Sequence, residues 1–228
     1  MTIVRLESPP VGPTAISIGS QRDVRRLRDE FERNHCVRLP GLVSDVLLDR
    51  ILPQVEEGEF SVREHKGIST ELCMESGKAP AMLMFLTNDP GLFELVRAIT
   101  GCDRIGAFNG RLYRMMPGPE HQDSWHEDLK DNRMVAMSIN LTPARYSGGV
   151  LEIRDRHSKE VLHTTAHVAT GDALLFRISR QLQHRVSPVE GEVPRTAWAG
   201  WFMGGPDFVL LRPNDAGAPD PDRSASHE

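Results

Sequence analysis

The sequence predicts an α+β fold, mainly β, with helices packed on one side of a β core. Helical patterns are confined to roughly the first hundred residues. After Asp103, short β-rich runs alternate with turn signals, which is typical of a sandwich or a barrel. Helices that come first and strands that follow indicate an α+β arrangement.

Three segments carry helix signals. Residues 21–34 place apolar side chains at helical spacing among charged ones, which predicts an amphipathic helix. Ser44 is a suitable N-cap for a second helix, which Pro53 interrupts or ends near its last turn. Residues 90–102 predict a third helix, with a proline in the first turn and Gly101 at the C-terminal cap.

The strand candidates are short and separated by turns rich in glycine and proline. A first candidate, residues 35–39, lies between the first two helices. Seven more follow Asp103, at residues 105–115, 134–141, 150–153, 161–168, 173–178, 184–188 and 196–203.

The remaining segments have no clear period. We expect an irregular lead-in over residues 1–20 and a disordered tail over residues 213–228. Between them, residues 21–212 are predicted to form a single domain, with its helices in 21–102 and its β core in 103–205. Residues 58–78 are polar and weakly patterned, and we expect a surface loop there, or a lid over a substrate.

Composition narrows the class of protein. The chain is 39% hydrophobic and 26% charged, which is ordinary for a globular protein, and its net charge of −5 argues against a nucleic-acid partner bound by a broad basic surface. No apolar run is long enough to span a bilayer, and no secretion signal is apparent. Cys36, Cys73 and Cys102 are far apart, so we expect reduced thiols and a cytoplasmic protein without a membrane partner.

The first chemical signal is the segment Trp125-His126-Glu127-Asp128. His126 and Asp128 are two positions apart, so on an extended backbone their side chains project to the same side. An imidazole and a carboxylate placed in this way can take two adjacent positions on a metal ion.

The second signal is His184, which opens a strand candidate 56 positions after Asp128. A barrel can bring these strand ends together. Two histidines and one carboxylate on one face of an octahedron form the facial triad of non-haem Fe(II) oxygenases, which leaves three positions open.

The third signal is Arg195, eleven residues after His184. The residues between them contain two prolines and a glycine, as a hairpin turn would, and an apolar strand follows. An arginine that points inward from an apolar strand needs an anionic partner. A dicarboxylic cosubstrate can supply one, because the guanidinium fork matches a carboxylate.

Taken in order, these motifs resemble the Fe(II)/2-oxoglutarate-dependent oxygenases. The H-x-D segment is followed by a Gly-Gly turn before an apolar strand at 148–152, by the Gly-Asp segment at 171–176, and then by His184 and Arg195. The resemblance is closest to the compact prolyl-hydroxylase-like and phytanoyl-CoA-hydroxylase-like members, and it covers about residues 21–205. It implies a double-stranded β-helix, a cupin-like jelly roll, supported by the N-terminal helices.

The resemblance also implies roles for individual residues. His126, Asp128 and His184 would be the catalytic metal ligands that bind Fe(II). Arg195 would bind the C5 carboxylate of 2-oxoglutarate. Family members often add a hydroxyl group to that carboxylate, and Tyr113, on the strand candidate before the H-x-D segment, is expected to provide it.

Two further positions concern the same cosubstrate. Some members place a serine two residues after the arginine, whereas this chain has Ala197 there, so that hydroxyl is missing. Asn140 and Ser138 share one face of their strand candidate, where relatives place inward polar residues near 2-oxoglutarate. Asn140 is therefore a candidate cosubstrate-binding residue, although polar residues that cap the core would follow the same pattern.

The function implied is that of an iron-dependent dioxygenase. It would use Fe(II), 2-oxoglutarate and O₂ to hydroxylate, or otherwise oxidise, an unactivated C–H bond of a small-molecule or carrier-bound substrate, with release of succinate and CO₂. Two alternatives remain open. One is a cupin-like metal-binding protein without 2-oxoglutarate chemistry, and the other is a peptidyl hydroxylase.

Overall fold

The computed structural model describes residues 5–7, 15–17, 20–65, 69–121, 123–130, 132–166 and 169–205. Within these residues, helices and strands follow in the order expected for an α+β chain. The helices are α1 (Gln21–Asn34), α2 (Asp45–Glu56), α3 (Lys78–Thr87) and α4 (Pro90–Thr100). The strands are β1 (Arg5–Glu7), β2 (Ala15–Ser17), β3 (Cys36–Leu39), β4 (Ser61–His65), β5 (Ser69–Met74), β6 (Ala107–Met115), β7 (Arg133–Asn140), β8 (Ser147–Gly148), β9 (Leu151–Asp155), β10 (Val161–Thr165), β11 (Ala173–Arg177), β12 (Leu182–Val186), β13 (Val189–Glu190) and β14 (Arg195–Met203).

Two antiparallel sheets form the β core. The major sheet has the strand order β3-β11-β7-β14-β6-β5-β4, and the minor sheet has the order β10-β9-β12. The short strands β8 and β13 pair with each other, as do β1 and β2. The prediction of a mainly β, jelly-roll core supported by N-terminal helices is confirmed.

The two faces of the major sheet pack against different parts of the molecule. Successive side chains on a strand point to opposite faces, so neighbouring residues enter different clusters. On β7, Val135, Met137 and Ile139 pack in the large apolar cluster that includes the helices. Ala136, between them, belongs to a second apolar cluster, which also contains Leu151 of the minor sheet. The outer face of the major sheet therefore carries the helices, and the inner face looks towards the minor sheet.

The three predicted helices are confirmed as α1, α2 and α4, and α4 ends directly before Gly101. The hydroxyl of Ser44 makes no capping hydrogen bond, and α2 continues through Pro53 to Glu56. The helix α3 was not predicted, because most of its residues are apolar and it lacks the polar face that produces a helical period.

The prediction of a loop over residues 58–78 is wrong. The structure has two antiparallel strands there, β4 and β5, and β5 pairs with β6, so that this hairpin extends the major sheet. The side chains of this hairpin are mostly polar or partly exposed, as expected at a sheet edge. The alternation of apolar and polar residues that marks a half-buried strand is therefore weak, and the sequence did not predict strands here.

The predicted hairpin between His184 and Arg195 is also wrong. β12 pairs with β9 in the minor sheet, whereas β14 pairs with β6 and β7 in the major sheet. The connection crosses from one sheet to the other and forms β13 on the way. The same proline and glycine residues that favour a tight turn also permit this crossing.

The N-terminal segment contains regular structure that the sequence did not predict. In the predicted irregular lead-in, Arg5–Glu7 and Ala15–Ser17 form paired strands. The predicted tail, residues 213–228, lies outside the described residues. All three cysteines are free thiols. Among the described residues, no helix has the length and apolar character needed to cross a bilayer.

A buried asparagine joins the helical layer to the strand β6. Asn88, between α3 and α4, accepts a hydrogen bond from the main-chain N–H of Phe108 at 2.8 Å and donates one to the carbonyl of the same residue at 3.0 Å. Its amide thus satisfies both main-chain groups of Phe108, in the way that a neighbouring strand would.

We expect Asn88→Ala to lower the free energy of unfolding by roughly 2–3 kcal/mol, because it leaves buried main-chain groups of Phe108 without partners. Urea unfolding followed by circular dichroism would measure the change. Asn34→Ala is a matched control, since the Asn34 amide makes no side-chain hydrogen bond within the described residues and should change stability by less than about 0.5 kcal/mol. Equal losses in the two variants would contradict the assignment.

Candidate metal centre and cosubstrate pocket

A cavity of about 520 Å³ lies between the major and minor sheets. Strands of both sheets contribute to its wall, and so does the segment that carries the H-x-D motif. Of the residues singled out from the sequence, His126, Asp128, His184, Arg195, Tyr113 and Ser138 line this cavity.

The three predicted metal ligands lie together in the cavity. One ligand atom from each of His126, Asp128 and His184 falls within 4.8 Å of the others. Nε2 of His184 is 3.2 Å from Oδ2 of Asp128, and Nε2 of His126 is 3.7 Å from Oδ1 of the same carboxylate. Two imidazoles and one carboxylate suit a divalent metal such as iron, and three ligands on one side leave positions for other molecules.

Main-chain hydrogen bonds bring the two histidines together. The N–H of His126 donates to the carbonyl of His184 at 3.1 Å, and the N–H of His184 donates to the carbonyl of His126 at 3.0 Å. This antiparallel bridge attaches the H-x-D segment to the edge of β12. The two imidazole rings consequently lie with their centroids 4.4 Å apart.

The ring of His126 is held in a defined orientation. Its Nδ1 lies 2.7 Å from the carbonyl oxygen of Ser124, which can only accept, so Nδ1 carries the proton and Nε2 keeps its lone pair for a metal. A carboxylate oxygen of Asp123 is 3.3 Å from the same Nδ1, and the other oxygen accepts from the N–H of Val186 at 2.9 Å. Burial is the largest influence on Asp123 and raises the pKa of its carboxyl group.

The carboxylate of Asp128 is stabilised in its ionised form. Burial by itself would raise the pKa of Asp128, but hydrogen bonding and charge interaction with His184, the charge of His126 and a hydrogen bond from Trp201 together lower it to about 2. The carboxylate is therefore available as an anionic ligand throughout the physiological pH range.

Arg195 is buried without a carboxylate partner. It is only 6% exposed, its Nη2 donates to Oγ of Ser138 at 3.1 Å, and Nη1 lies 3.9 Å from the sulfur of Met115. Its Nε has no hydrogen-bond partner, and no ion pair joins Arg195 to another of the described residues. A buried guanidinium group without a counter-ion favours an anionic ligand, so the residues present fit a dicarboxylate.

The chain leaves space for this arginine at Gly149. A Cβ atom at position 149 would lie 2.7 Å from Cδ of Arg195, and the residue adopts a φ of +60°. Both the close approach and the left-handed conformation require glycine. The second glycine of the Gly-Gly turn is thus required by the position of the Arg195 side chain.

Tyr113, the residue expected to bind the cosubstrate through its hydroxyl group, lines the cavity. Its hydroxyl makes no hydrogen bond to any of the described residues, and burial, followed by the charge of Glu71, raises the pKa of Tyr113 to about 12. The phenol is protonated at neutral pH and can donate to a ligand. Its strand position is opposite Ala197, two residues after Arg195, so it lies on the same face of the sheet as the arginine.

Asn140 lies apart from the cavity, and its surroundings do not support the predicted contact with 2-oxoglutarate. Its amide nitrogen donates to the carbonyl of Ala169 at 3.1 Å, and its Oδ1 accepts from the N–H of Thr142 at 3.1 Å. Both ends of the side chain therefore hold loops in place. Ser138 lies two residues earlier on the same face of β7, and its hydroxyl accepts the hydrogen bond from Arg195.

Three residues of the site were missed in the sequence. Trp201 has the same strand parity as Arg195, and this signal could have shown that its side chain faces the cavity. Glu71 was hidden in the segment mistaken for a loop; burial, followed by the charge of Asp123, raises its pKa to about 7. No spacing signal marked Asp123, because the three-dimensional contact with His126 depends on a turn.

Besides Arg195, the cavity is lined by four other basic residues. Arg63, Arg111, Lys130 and Arg133 all line it. Arg63 pairs with Glu75, and Arg133 lies 3.5 Å from the carboxylate of Asp128. Arg111 makes neither a hydrogen bond nor an ion pair with the part of the chain that the structure describes, so its charge is available to a bound molecule.

A family model matches most of the β core. Residues 111–203 match the model of the 2OG-Fe(II) oxygenase superfamily. No curated protein matches the chain. The matched segment includes the three candidate ligands and Arg195.

Solved structures with the same fold cover most of the chain. A 2OG-Fe(II) oxygenase family oxidoreductase from Burkholderia pseudomallei is 12% identical, covers 91% of this chain and 99% of its own, and has a TM-score of 0.62. A Trichoplax adhaerens prolyl hydroxylase in complex with a hypoxia inducible factor peptide fragment is 19% identical, with 80% and 89% coverage and a TM-score of 0.62. EvdO2 from Micromonospora carbonacea var. aurantiaca, complexed with 2-oxoglutarate, is 16% identical, with 91% and 97% coverage and a TM-score of 0.56. At these identities the structures show a common fold.

The family match and the triad confirm the expected enzyme class, an iron-dependent oxygenase, and the expected cofactors, Fe(II) and 2-oxoglutarate. The resemblance expected from the sequence is confirmed, since residues 111–203 match the model of the 2OG-Fe(II) oxygenase superfamily.

Proposed function

We propose that the protein hydroxylates, or otherwise oxidises, an unactivated C–H bond of a small-molecule or carrier-bound substrate. One observation carries this proposal: the His126, Asp128 and His184 cluster shares a cavity with Arg195, a buried guanidinium group that lacks a counter-ion. A metal site alone would not require that arginine. A dicarboxylate that binds beside the metal explains both features.

In this proposal, His126, Asp128 and His184 hold Fe(II), and Arg195 binds the distal carboxylate of 2-oxoglutarate. Ser138 and Tyr113 would add hydroxyl donors to that carboxylate. Three observations support these roles: the free Nε of Arg195, the hydrogen bond from Arg195 to Ser138, and the unpaired phenol of Tyr113 on the same sheet face.

The bound cofactors supply the oxidation: O₂ and 2-oxoglutarate are converted to succinate and CO₂, and one oxygen atom enters the C–H bond of the substrate. The protein's own residues bind and orient. Asp128 stays ionised, and the Ser124 carbonyl keeps the Nε2 lone pair of His126 free. Leu151, Leu174 and Phe176 line the cavity and exclude water from it.

The cavity favours a substrate that enters at least partly into the protein. Its volume of about 520 Å³ lies in the range typical of small-molecule sites, and 2-oxoglutarate would occupy the part next to Arg195. Trp201 and Arg111, which has no hydrogen-bond or ion-pair partner among the described residues, also line the cavity. A small molecule, or the arm of a carrier-bound substrate, fits such a space.

Anaerobic addition of Fe(II) and then 2-oxoglutarate is the test of this proposal. We expect a visible metal-to-ligand charge-transfer band in the wild-type protein, and we expect His184→Ala to abolish it, because two ligands cannot replace the triad. Absorption spectroscopy under argon would measure the band.

His163→Ala is the control for this experiment, because His163 lies on β10, away from the cavity, and should leave the band unchanged. If the wild-type protein gave no band but bound Zn(II) or Ni(II) tightly, the proposal would be overturned in favour of a cupin-like metal protein without 2-oxoglutarate chemistry.

A second prediction concerns the cosubstrate alone. We expect Arg195→Met to weaken 2-oxoglutarate binding roughly tenfold to a hundredfold, since a charge-assisted pair with a carboxylate is lost, and Ser138→Ala to weaken it by less. Titration of the Fe(II)-loaded protein with 2-oxoglutarate gives the dissociation constants, and Fe(II) affinity in its absence should be retained.

Arg114→Met provides the matched comparison. Arg114 is on β6, its Nε donates to Thr196, and its guanidinium group stacks on Phe60, outside the cavity. The same substitution there should leave 2-oxoglutarate affinity unchanged. An Arg195→Met protein that bound 2-oxoglutarate as tightly as the wild type would refute the role given to Arg195.

A further inference from the structure

Trp201 contacts a proposed metal ligand directly. Its indole Nε1 donates a hydrogen bond of 2.8 Å to Oδ2 of Asp128. Trp201 lies near the end of β14, in the centre of the major sheet, where both neighbouring strands hold its main chain. The donor is therefore attached to a rigid part of the fold.

The guanidinium group of Arg133 stacks on the face of the Trp201 indole ring. Its guanidinium carbon lies 3.6 Å from the centroid of the Trp201 ring, which is the geometry of a cation–π contact. Its Nη1 is also 3.5 Å from Oδ1 of Asp128. Indole, guanidinium and carboxylate form a closed group of three in which both oxygens of Asp128 have neighbours.

Asp128 needs such support more than the two histidines do. His184 is part of β12, and His126 is joined to it by a two-hydrogen-bond bridge. Asp128 lies outside the strands, and its main chain makes no hydrogen bond to any of the described residues. Side-chain contacts must therefore set the position of its carboxylate.

We propose that Trp201 is a positioning residue for Asp128, with its indole N–H fixing the direction of the carboxylate and Arg133 holding the indole plane. This inference rests on the proposed function, because it takes Asp128 as a metal ligand. Hydrogen-bond partners of a metal ligand fix the orientation of its side chain before the metal binds. Removing such a partner typically lowers metal affinity ten- to a hundredfold.

A packing role is the competing explanation. Trp201 also packs against the apolar cluster between the two sheets, so a substitution could act through general loosening of the core. The two explanations differ in what they predict for a tryptophan elsewhere on β14. Trp198, three residues earlier, points to the opposite face, where its indole donates to Thr87 at 3.3 Å.

The test compares Trp201→Phe with Trp198→Phe. Each substitution removes one indole N–H from the same strand and keeps an aromatic ring. We expect Trp201→Phe to weaken the binding of Co(II), used as the metal probe, roughly tenfold or more in competition with a chromophoric chelator. Trp198→Phe should lower the melting temperature but leave Co(II) affinity within about twofold of the wild type.

The outcomes separate this inference from the proposed function. If wild-type protein binds Co(II) through the triad and Trp201→Phe binds it equally well, the inference is overturned and the proposed function stands. Equal weakening in both variants would assign the effect to packing and would also overturn it. If wild-type protein binds no Co(II), the proposed function fails first.

A measurement on the wild-type protein avoids dependence on the folding of one variant. The indole N–H signals of Trp125, Trp198 and Trp201 can be assigned by elimination with Trp125→Phe and Trp198→Phe. In the Zn(II)-loaded protein, we expect the Trp201 N–H to exchange with solvent at least about tenfold more slowly than a free indole, because it is held by Asp128. Exchange at the rate of a free indole would overturn the inference.

Discussion

The site depends on the two main-chain hydrogen bonds that join His126 to His184. These residues are far apart in the chain, and the bridge is the point where the H-x-D segment becomes an added edge of the minor sheet. A strand edge sets the spacing of the side chains it carries, so the two imidazoles face each other before any metal arrives. The third proposed ligand, Asp128, then depends on side-chain contacts because no ladder holds it.

One face of the major sheet forms the hydrophobic core with the helices, and the other face forms a wall of the cavity. The outer face is occupied by large apolar side chains that pack in the cluster containing the helices, and Trp198 and Phe202 of β14 belong to it. The inner face carries small residues such as Ala136 and Ala199 where the cavity needs space. Alternation along each strand lets one set of residues stabilise the fold while the other set forms the site. A shift of register by one residue would exchange these roles.

Buried charge is the cost of this arrangement. Arg195 is removed from water without a carboxylate to pair with it, and Glu71 and Asp123 are carboxyl groups whose pKa is raised by burial. Such groups are unfavourable for folding, and they lie in the one cavity that also holds the metal-ligand cluster. A bound dicarboxylate would neutralise Arg195, so we expect the ligand to stabilise the protein that binds it. The stability of the fold and the occupancy of its site are in this way linked.

Much of this protein can be inferred from local patterns. The helices α1, α2 and α4, most of the strands, the H-x-D pair, His184 and Arg195 were all predicted, because periodicity, caps and motif order are properties of neighbouring residues in the chain. Contacts across sheets could not be predicted in this way. The pairing of β5 with β6, the crossing between β12 and β14, the use of Asn140 to hold loops, and the hydrogen bond from Trp201 to Asp128 each join residues that no local spacing relates. The sequence by itself therefore determined which chemical groups the site contains. Their partners and orientations were decided by the tertiary structure, because they result from the packing of one sheet over the other.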